Sequence, residues 1–384
     1  MSSNIFFFSF NTGLRFIQLR EAMFTLRRFS IFRKAEFFRN TSTSSCETVV
    51  AEPLENRALL RVSGPDVYGF LQGLMTNDIA HIQSGISSMY TMFLNTKGRV
   101  LYDAIIYQTA EPEVLHVECD NLVVANLENH LKVYRLRKKV SIDIEDGHKV
   151  WAVYNPILNE NNSSGNLVSD MKDNLLGKVL PCEELEVAKR ERKESFSINS
   201  IVSKNNVLIF RDPRIYELGL RVICPTSEDV SKLLSVEKGS SYRNLRFSLG
   251  VGEGILDLPP GEGLALECNC DYLHGVSFHK GCYIGQELTA RVYHTGVVRK
   301  RLMPLVLESP IAVTSALKQE VLNENNKPMG KVRGVEGLTG LGLLRISEVL
   351  SAKSLSLCST SVKTRRPHWW PNQAPKELES RDKQ

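Results

Sequence analysis

The chain has 384 residues, of which 42% are apolar and 24% are charged, with 25 glycines and 15 prolines. A composition this close to the globular average excludes collagen, a coiled coil and wholesale disorder, and the length predicts two to three domains. The net charge of +5 arises within residues 1–45, where seven basic residues accompany two acidic ones. The remaining chain is neutral, which excludes the electrostatic footprint of a nucleic-acid-binding protein.

Residues 1–45 have the composition of an organellar transit peptide. They contain ten of the sixteen phenylalanines and end in a hydroxyl-rich stretch at 40–45. From Met23, which also offers a second translation start, the spacing predicts a basic amphipathic helix. The arginines favour the mitochondrial matrix, with a plastid as the alternative; a disordered or membrane-associated tail is the other hypothesis. No run of about 18 apolar residues occurs, so the sequence predicts no membrane span.

The following chain mixes helices with antiparallel strands, which indicates the α+β class. The predicted strands cover 58–62, 89–94, 100–107, 114–117, 140–144, 150–154, 207–210 and 220–223. One helix is predicted to open at residues 63–66, and a second helix is predicted over 121–137. After Arg299, short apolar runs at 302–307, 332–335 and 341–346 alternate with glycine turns and predict a small β-barrel. Trp369 and Trp370 in the tail are expected to dock onto the body or onto a partner, with disorder as the alternative.

The segment from Gly275 to Arg291 contains the most informative chemistry. Glycines at 281 and 285 flank Cys282, so the backbone can turn tightly or approach a ligand there. Lys280 lies two residues before the cysteine, and a nearby ammonium lowers a thiol pKa from about 8.5, giving a nucleophilic, oxidisable or metal-ligating group. The alternative is a small cysteine buried in the core.

A built-in metal site is not predicted. Cys268 and Cys270 precede Cys282, with His274 and His279 between them. A Cys-x-Cys pair lacks the usual Cys-x₂-Cys spacing, however, and no second pair follows. Eight cysteines without a regular framework favour a reducing compartment. No Ser–His–Asp, kinase or His-Glu-x-x-His signature is present.

The run Gly-Val-Ser-Phe-His-Lys-Gly-Cys-Tyr-Ile-Gly-Gln-Glu resembles the signature of the YgfZ-type folate-binding proteins, relatives of the glycine-cleavage T-protein (aminomethyltransferase). The resemblance covers roughly residues 55–350, with further matches at 70–78, 95–98, 102–103, 212–219 and 245–246. With the organellar leader, the chain is similar to the mitochondrial branch of that family, the iron–sulfur cluster assembly factors. This branch is implied to help form [4Fe–4S] clusters together with A-type carrier proteins.

The resemblance implies a three-domain T-protein-like ring around a folate-binding channel. Its expected domains are a transit peptide over 1–45, a folate-binding module of two interleaved α+β domains over 46–298, a C-terminal β-barrel over 299–352 and a tail over 353–384. The implied cofactor is tetrahydrofolate. The implied catalytic residues are Cys282 and Asp103, and the implied folate-binding residues are Lys280, Tyr283, Gln286, Glu287 and Arg291.

Two positions bear on the reaction that the resemblance implies. Asp103 falls on the second acidic position of the T-protein's Asp-Asp pair, where that enzyme has a catalytic carboxylate, and Tyr102 falls on the first. Ser248 occupies the place of the T-protein's pterin-binding glutamate. Because a hydroxyl cannot replace the paired acceptance of a carboxylate, aminomethyl transfer is disfavoured. Three hypotheses therefore stand: a folate-binding cluster assembly factor, a folate-dependent one-carbon transferase, and a non-catalytic scaffold.

Overall fold

A computed structural model describes residues 49–156 and 207–371 of the chain. The predicted leader at 1–45 lies outside the described residues, as does the end of the tail from 372 onward. Among the described helices, none is both long enough and apolar enough to cross a membrane.

Residues 49–156 form strands that agree closely with the predicted alternation. The strands are β1 (Val50–Pro53), β2 (Arg57–Ser63), β3 (Ser88–Leu94), β4 (Val100–Gln108), β5 (Val114–Asp120), β6 (Ser141–Ile144) and β7 (His148–Tyr154). The helices are α1 (Val67–Gln72), α2 (Ala80–Gln83) and α3 (Val124–Arg135), with a 3₁₀ turn at Asn121–Val123. Asp120 caps that turn by accepting from the N–H of Leu122. Helix α3 then buries Leu127 and Leu131 against the sheet, as its apolar spacing predicts.

The first sheet has the strand order β3-β4-β5-β2-β6 and is antiparallel throughout. One face buries apolar side chains against the three helices, and its core includes Phe70, Leu71, Phe93, Ile106 and Leu131. The opposite face points towards the second sheet, and its members include Tyr90 and Tyr107. Both faces of β4 and β5 are largely buried, so the sequences of these strands are nearly continuous apolar runs.

Residues 207–298 add the rest of a second sheet and the segment that leads to the cysteine motif. The strands are β8 (Leu208–Arg211), β9 (Leu220–Pro225) and β10 (Glu237–Lys238). The helices are α4 (Val230–Leu234), α5 (Tyr242–Leu249), α6 (Gly254–Asp257) and α7 (Gln286–Thr295), with a 3₁₀ turn at Tyr216–Leu218. The strand order is β10-β1-β7-β9-β8, and only the β1–β10 pair is parallel. Mixed helices and antiparallel sheets confirm the α+β class.

The C-terminal unit is a closed six-stranded barrel with the order β11-β14-β13-β12-β15-β16, where β11 also pairs with β16. Its strands are β11 (Lys300–Leu307), β12 (Glu320–Asn323), β13 (Pro328–Glu336), β14 (Thr339–Arg345), β15 (Leu355–Leu357) and β16 (Thr360–Thr364). Its helices are α8 (Val313–Ala316) and α9 (Ile346–Ser351). The predicted barrel boundary at 352 is therefore too early, because β15 and β16 lie in the segment assigned to the tail.

The tryptophan pair docks onto the body of the protein. Trp370 is buried in the barrel core, and the indole N–H of Trp369 donates to the carbonyl of Leu249 in helix α5 at 2.8 Å. The largest core contains residues from both sheets and from the barrel, among them Tyr107, Phe210 and Leu302. One core cluster therefore joins the three units, while the first sheet, the barrel and the second sheet each have a further core of their own.

Candidate functional site

The cysteine segment lies against the stretch that follows helix α1. The Thr76 hydroxyl donates to the carbonyl of Gly275 at 2.6 Å, and the Asn77 side chain donates to the carbonyl of His274 at 2.7 Å. The N–H of Ser277 donates to the carbonyl of Thr76 at 3.1 Å. Two motifs that lie about 200 residues apart in the sequence therefore form one interface.

Lys280 lies inside that interface. Its ammonium donates to the backbone carbonyls of Gln72, Met75 and Asn77, each at 2.7 Å. Burial lowers the pKa of Lys280 to about 8, and Asp78 offsets part of that effect. An ammonium has three N–H donors, and all three have partners here. The structure therefore leaves no Lys280 donor for a folate carboxylate or for a thiolate.

Two glycines let the β3–β4 turn pack directly on the cysteine segment. Gly98 and Gly285 both have positive φ, +75° and +78°, which side chains rarely adopt. A Cβ on Gly285 would lie 2.5 Å from the carbonyl oxygen of Asn95, and one on Gly98 would lie 2.7 Å from the Cβ of Leu288. These close contacts position the start of helix α7 immediately after the cysteine.

Cys282 is exposed, and this contradicts the alternative of a cysteine packed in the core. Its neighbour Gly281 is exposed too, and a Cβ added there would meet no atom within 4 Å. Tyr283, the next residue, is only 8% exposed. The thiol therefore lies on an open surface between two buried side chains, Lys280 and Tyr283.

Cys268 and Cys270, the Cys-x-Cys pair that precedes Cys282, are buried. Burial raises the pKa of Cys268 to about 12 and raises the pKa of Cys270 well above its ordinary value. Such thiols are unreactive at neutral pH. Among residues 49–156 and 207–371, no group of three or more histidine, cysteine or acidic side chains could hold a metal ion.

The other predicted folate residues follow Cys282 without lining a common pocket. Tyr283 is buried, and that burial raises the pKa of its hydroxyl. Gln286 is half-buried on helix α7, where Glu287 and Arg291 are exposed. A cavity of about 270 Å³ beside this helix has a largely apolar lining and includes none of the predicted residues; its walls include Leu264, Leu288, Val292 and Val297. The tetrahydrofolate site at these residues therefore stays a prediction.

Asp103 lies in the interior, away from solvent. Its Oδ1 accepts from the N–H of Gly254 at 3.0 Å, and its Oδ2 lies 3.5 Å from the Arg57 guanidinium. Burial raises the pKa of Asp103; Arg57 lowers it in part, and Glu253 raises it further. The carboxyl is only 3% exposed, so a base at this position has no open path to solvent in this conformation.

A buried ion cluster surrounds Asp103 and joins the two sheets. Its members are Arg57, Asp103 and Glu118 from the first sheet, Asp212 and Arg214 from the β8–β9 connection, Arg221 from β9, Arg246 and Asp257 from helices α5 and α6, and Glu253 just before α6. Arg57 pairs with Glu118 at 2.7 Å, and Arg214 pairs with Asp212 at 2.7 Å. Buried charges are retained where each has an opposite partner, and these pairs meet that condition.

Sequence reasoning missed most of this cluster. Its only flagged members were Asp103 and the motif residues Asp212, Arg214 and Arg246. The available signal was a charged residue within an apolar strand, as at Glu118 in β5 and Arg221 in β9. Such a residue is rarely buried unless it is paired, but the alternation does not identify the partner.

Several buried donors in and beside this cluster make no hydrogen bond to the described residues. They are Arg57 Nη2, Arg214 Nη1, Arg221 Nη1, Arg246 Nε and the Tyr90 hydroxyl. Two of them face carboxylates at longer range, Arg221 Nη1 at 3.4 Å from Glu118 and Arg246 Nε at 3.7 Å from Glu253. A pterin edge or a carboxylate would accept from such groups.

Ser248, the residue in place of the T-protein's glutamate, lies in helix α5. Its hydroxyl donates to the carbonyl of Leu245 at 2.8 Å, a contact within the helix that resembles local back-bonding. The chain therefore lacks the carboxylate that the T-protein resemblance associates with the pterin.

Comparison with known proteins agrees with this architecture. The chain is 36% identical over 343 residues to the iron–sulfur cluster assembly factor IBA57 of Mus musculus, covering 84% of this chain and 85% of that protein. The corresponding protein of Homo sapiens is 34% identical over 335 residues and covers 83% and 84%. The chain belongs to the IBA57 family. Both IBA57 relatives are named as mitochondrial, which confirms the mitochondrial destination predicted for the leader.

The fold of this IBA57-family chain resembles that of the T-protein. A crystal structure of the glycine cleavage system aminomethyltransferase T from Bartonella henselae superposes with a TM-score of 0.59 at 13% identity, covering 84% of this chain and 86% of that one. The match confirms the predicted T-protein-like fold. A family model described as the CAF17 C-terminal β-barrel domain matches residues 299–372, in agreement with a barrel that continues past residue 352.

Proposed function

We propose that this protein is an iron–sulfur cluster assembly factor of the mitochondrial matrix that presents Cys282 to a cluster bound by a partner. The observation that supports this function most directly is the exposed thiol between two buried anchors, in a chain whose relatives are named as such factors. Iron–sulfur clusters are held by cysteine thiolates. An exposed thiol on a fixed backbone is a suitable ligand for a cluster that has to be passed on.

The chemical step in this proposal is ligand exchange. The Cys282 thiol loses its proton to solvent, and its sulfur forms one bond to an iron atom of the cluster as another ligand leaves. The bond breaks again when a thiolate of the receiving protein replaces Cys282. No electron is transferred, and no oxidant or reductant is consumed.

The partner supplies the remaining ligands. A [2Fe–2S] or [4Fe–4S] cluster needs four protein ligands, and Cys282 is a single cysteine whose sequence neighbours Cys268 and Cys270 are buried. The proposed source of the other ligands is an A-type carrier protein, which delivers its cluster to this surface.

Cluster transfer from a loaded A-type carrier to an apo-aconitase tests the role of Cys282. We expect Cys282→Ser in the mature protein to slow aconitase activation at least about tenfold. The matched control is Cys358→Ser, because Cys358 is the other exposed cysteine of the described residues and lies at the end of the barrel. Transfer by Cys282→Ser at the wild-type rate would show that the thiol is not a ligand.

A second candidate is a folate-dependent one-carbon transferase. The guanidinium donors around Asp103 that make no hydrogen bond favour it, because a pterin or a carboxylate would accept from them once the ion cluster opens. Ser248 disfavours it, because a hydroxyl does not replace the carboxylate that the T-protein resemblance associates with the pterin. Calorimetric titration of the mature protein with tetrahydrofolate decides whether folate binds, and loss of methylene-folate turnover in Asp103→Asn would promote this candidate over the first.

A further inference from the structure

The three carbonyls around Lys280 belong to a chain segment that cannot satisfy them itself. Gln72 is the last residue of helix α1, where a carbonyl has no partner within the helix. Met75 forms an isolated β-bridge with Phe93, and Asn77 lies in the bend that follows. Three carbonyl oxygens directed at one point repel each other unless a donor occupies it, and a cation is the favoured donor near a helix C-terminus.

The loop formed by residues 280–285, the cysteine loop, is also anchored on the far side of the thiol. The N–H of Ile284 donates to the carbonyl of Gly73 at 3.1 Å. The ammonium of Lys280 lies 5.0 Å from the ring centroid of Tyr283, within the range of a cation–π contact. Residues 280 and 283–284 are therefore fixed on the same surface, and the exposed residues between these anchors are Gly281 and Cys282.

From these contacts we infer that Lys280 is a positioning residue for Cys282. It fixes the backbone that displays the thiol, and its three N–H donors bind carbonyls, so none is left to hydrogen-bond the sulfur. A partner that docks on a preformed loop does not have to order it, so less binding free energy is lost. The expected gain in partner binding rests on the proposed function, whereas the positioning of the loop by Lys280 can be tested without a partner.

The test compares Lys280→Met with Lys97→Met in the mature protein. Methionine keeps an apolar stem beside Tyr283 but removes all three donors, whereas Lys97 is an exposed lysine on the turn that packs against the same loop. Amide hydrogen exchange of residues 281–285 is expected to rise about tenfold in Lys280→Met alone, while exchange in the barrel stays at the wild-type rate. A general loss of stability would instead accelerate exchange in both regions.

Two further measurements separate positioning from activation. The pH midpoint of Cys282 alkylation by iodoacetamide is expected to move by less than about one unit in Lys280→Met, since no N–H of Lys280 is left to hydrogen-bond the sulfur. Affinity for the loaded A-type carrier is expected to fall about tenfold. A rise of more than about one unit in the alkylation midpoint would instead show that Lys280 activates the thiol. Unchanged exchange at 281–285 would also overturn the inference.

Lys280→Arg keeps the inference testable if the methionine variant is insoluble. Arginine retains the charge, but its planar fork cannot direct three donors from one nitrogen, so the same local rise in exchange is expected. Wild-type-like exchange in this variant counts against positioning by three convergent bonds. If the wild type itself does not transfer a cluster, the proposed function fails while the exchange result still stands.

Discussion

The cysteine loop and the buried ion cluster both contain buried cations, but they differ in what surrounds the cation and in whether the predicted reactive group is exposed. In the loop, the single cation of Lys280 is surrounded by neutral carbonyls, and the reactive group beside it is open to solvent. In the cluster, four arginines meet five carboxylates, and the acid predicted to be catalytic, Asp103, is enclosed. The region with the fewer charges therefore presents a group that a partner can reach.

This difference shows why a match to a family motif does not by itself identify which residues can react with a ligand or a partner. Lys280 matches a position of the YgfZ-type signature, and Asp103 matches an acidic position of the T-protein, and both resemblances imply function. In the structure, Lys280 binds backbone, and Asp103 is part of the contact between two sheets. Cys282 is the predicted catalytic residue that the fold exposes. Each prediction below tests one side of this comparison.

The largest effect is expected from breaking the ion cluster. Arg221 contacts Asp212 and also lies against Glu253 and Glu118. Arg221→Met removes the charge with little loss of volume and leaves Glu118 paired only with Arg57, and Asp212 with Arg214. Removing one partner from a buried ion network typically costs about 3–5 kcal/mol. Denaturant unfolding of the mature protein measures the change. The matched control is Lys132→Met, which breaks an exposed pair with Glu128 on helix α3 and should cost less than about 0.5 kcal/mol.

Thiol labelling should separate the exposed cysteine from the buried ones by a wide margin. A pKa of about 12 in place of 9.0 lowers the thiolate fraction of Cys268 at neutral pH about 1000-fold. Iodoacetamide at pH 7.5 should therefore modify Cys282 and Cys358, but leave Cys119, Cys268 and Cys270 unmodified until denaturant is added. Peptide mass spectrometry reads each site separately, and native labelling of Cys268 would contradict the enclosed geometry.

Acid should weaken the cluster before it affects the loop. Burial alone would raise the pKa of Asp212, but Arg214 outweighs it and holds that pKa below its ordinary 3.8. Burial likewise opposes the arginines at Glu253, whose pKa they hold well below 4.5. Carboxyls with lowered pKa stabilise the folded state fully above these ordinary values, and the contribution is lost as pH falls below them.

Thermal unfolding followed from pH 6 to pH 3 measures that loss, with Asp212→Asn for comparison. The variant should start with a lower melting temperature and show a shallower decline below pH 4. An equal slope in the two proteins would show that Asp212 is not held ionised by its arginines. The pKa of Asp103 is shifted in the opposite direction, because burial raises it. Asp103→Asn should therefore not reduce the slope of melting temperature against pH.

The smallest effect on stability is expected from the glycine next to the thiol. Gly281→Ala meets no neighbouring atom and should change the unfolding free energy by less than about 0.5 kcal/mol. Gly285→Ala combines a positive φ with a 2.5 Å contact and should cost at least about 1 kcal/mol. If Gly281→Ala folds normally but binds the loaded A-type carrier more weakly, this glycine leaves room for the partner. Equal destabilisation of both variants would show that the loop does not have the described open face.

The local elements were largely predictable from the sequence. The hairpin predicted at 89–94 and 100–107 is observed as β3 and β4, and the barrel follows from short apolar runs between glycines, because alternation and turn residues act over a few neighbours. The barrel end was placed too early, because β15 and β16 are short and polar on one face. Their strand pairing depends on contacts with distant strands, and a local pattern does not show these.

What the sequence alone determined is the mitochondrial localisation, the α+β class, the barrel and the cysteine motif with its family. Only the tertiary structure decided that Cys282 is exposed, that Lys280 binds the end of a helix, and that Asp103 lies within an ion cluster. The physical reason is sequence separation: Lys280 and Met75 are 205 residues apart and Arg57 and Glu118 are 61 apart. Charge and hydrogen-bond partners at such separations are chosen by the packing of the sheets, not by neighbouring residues.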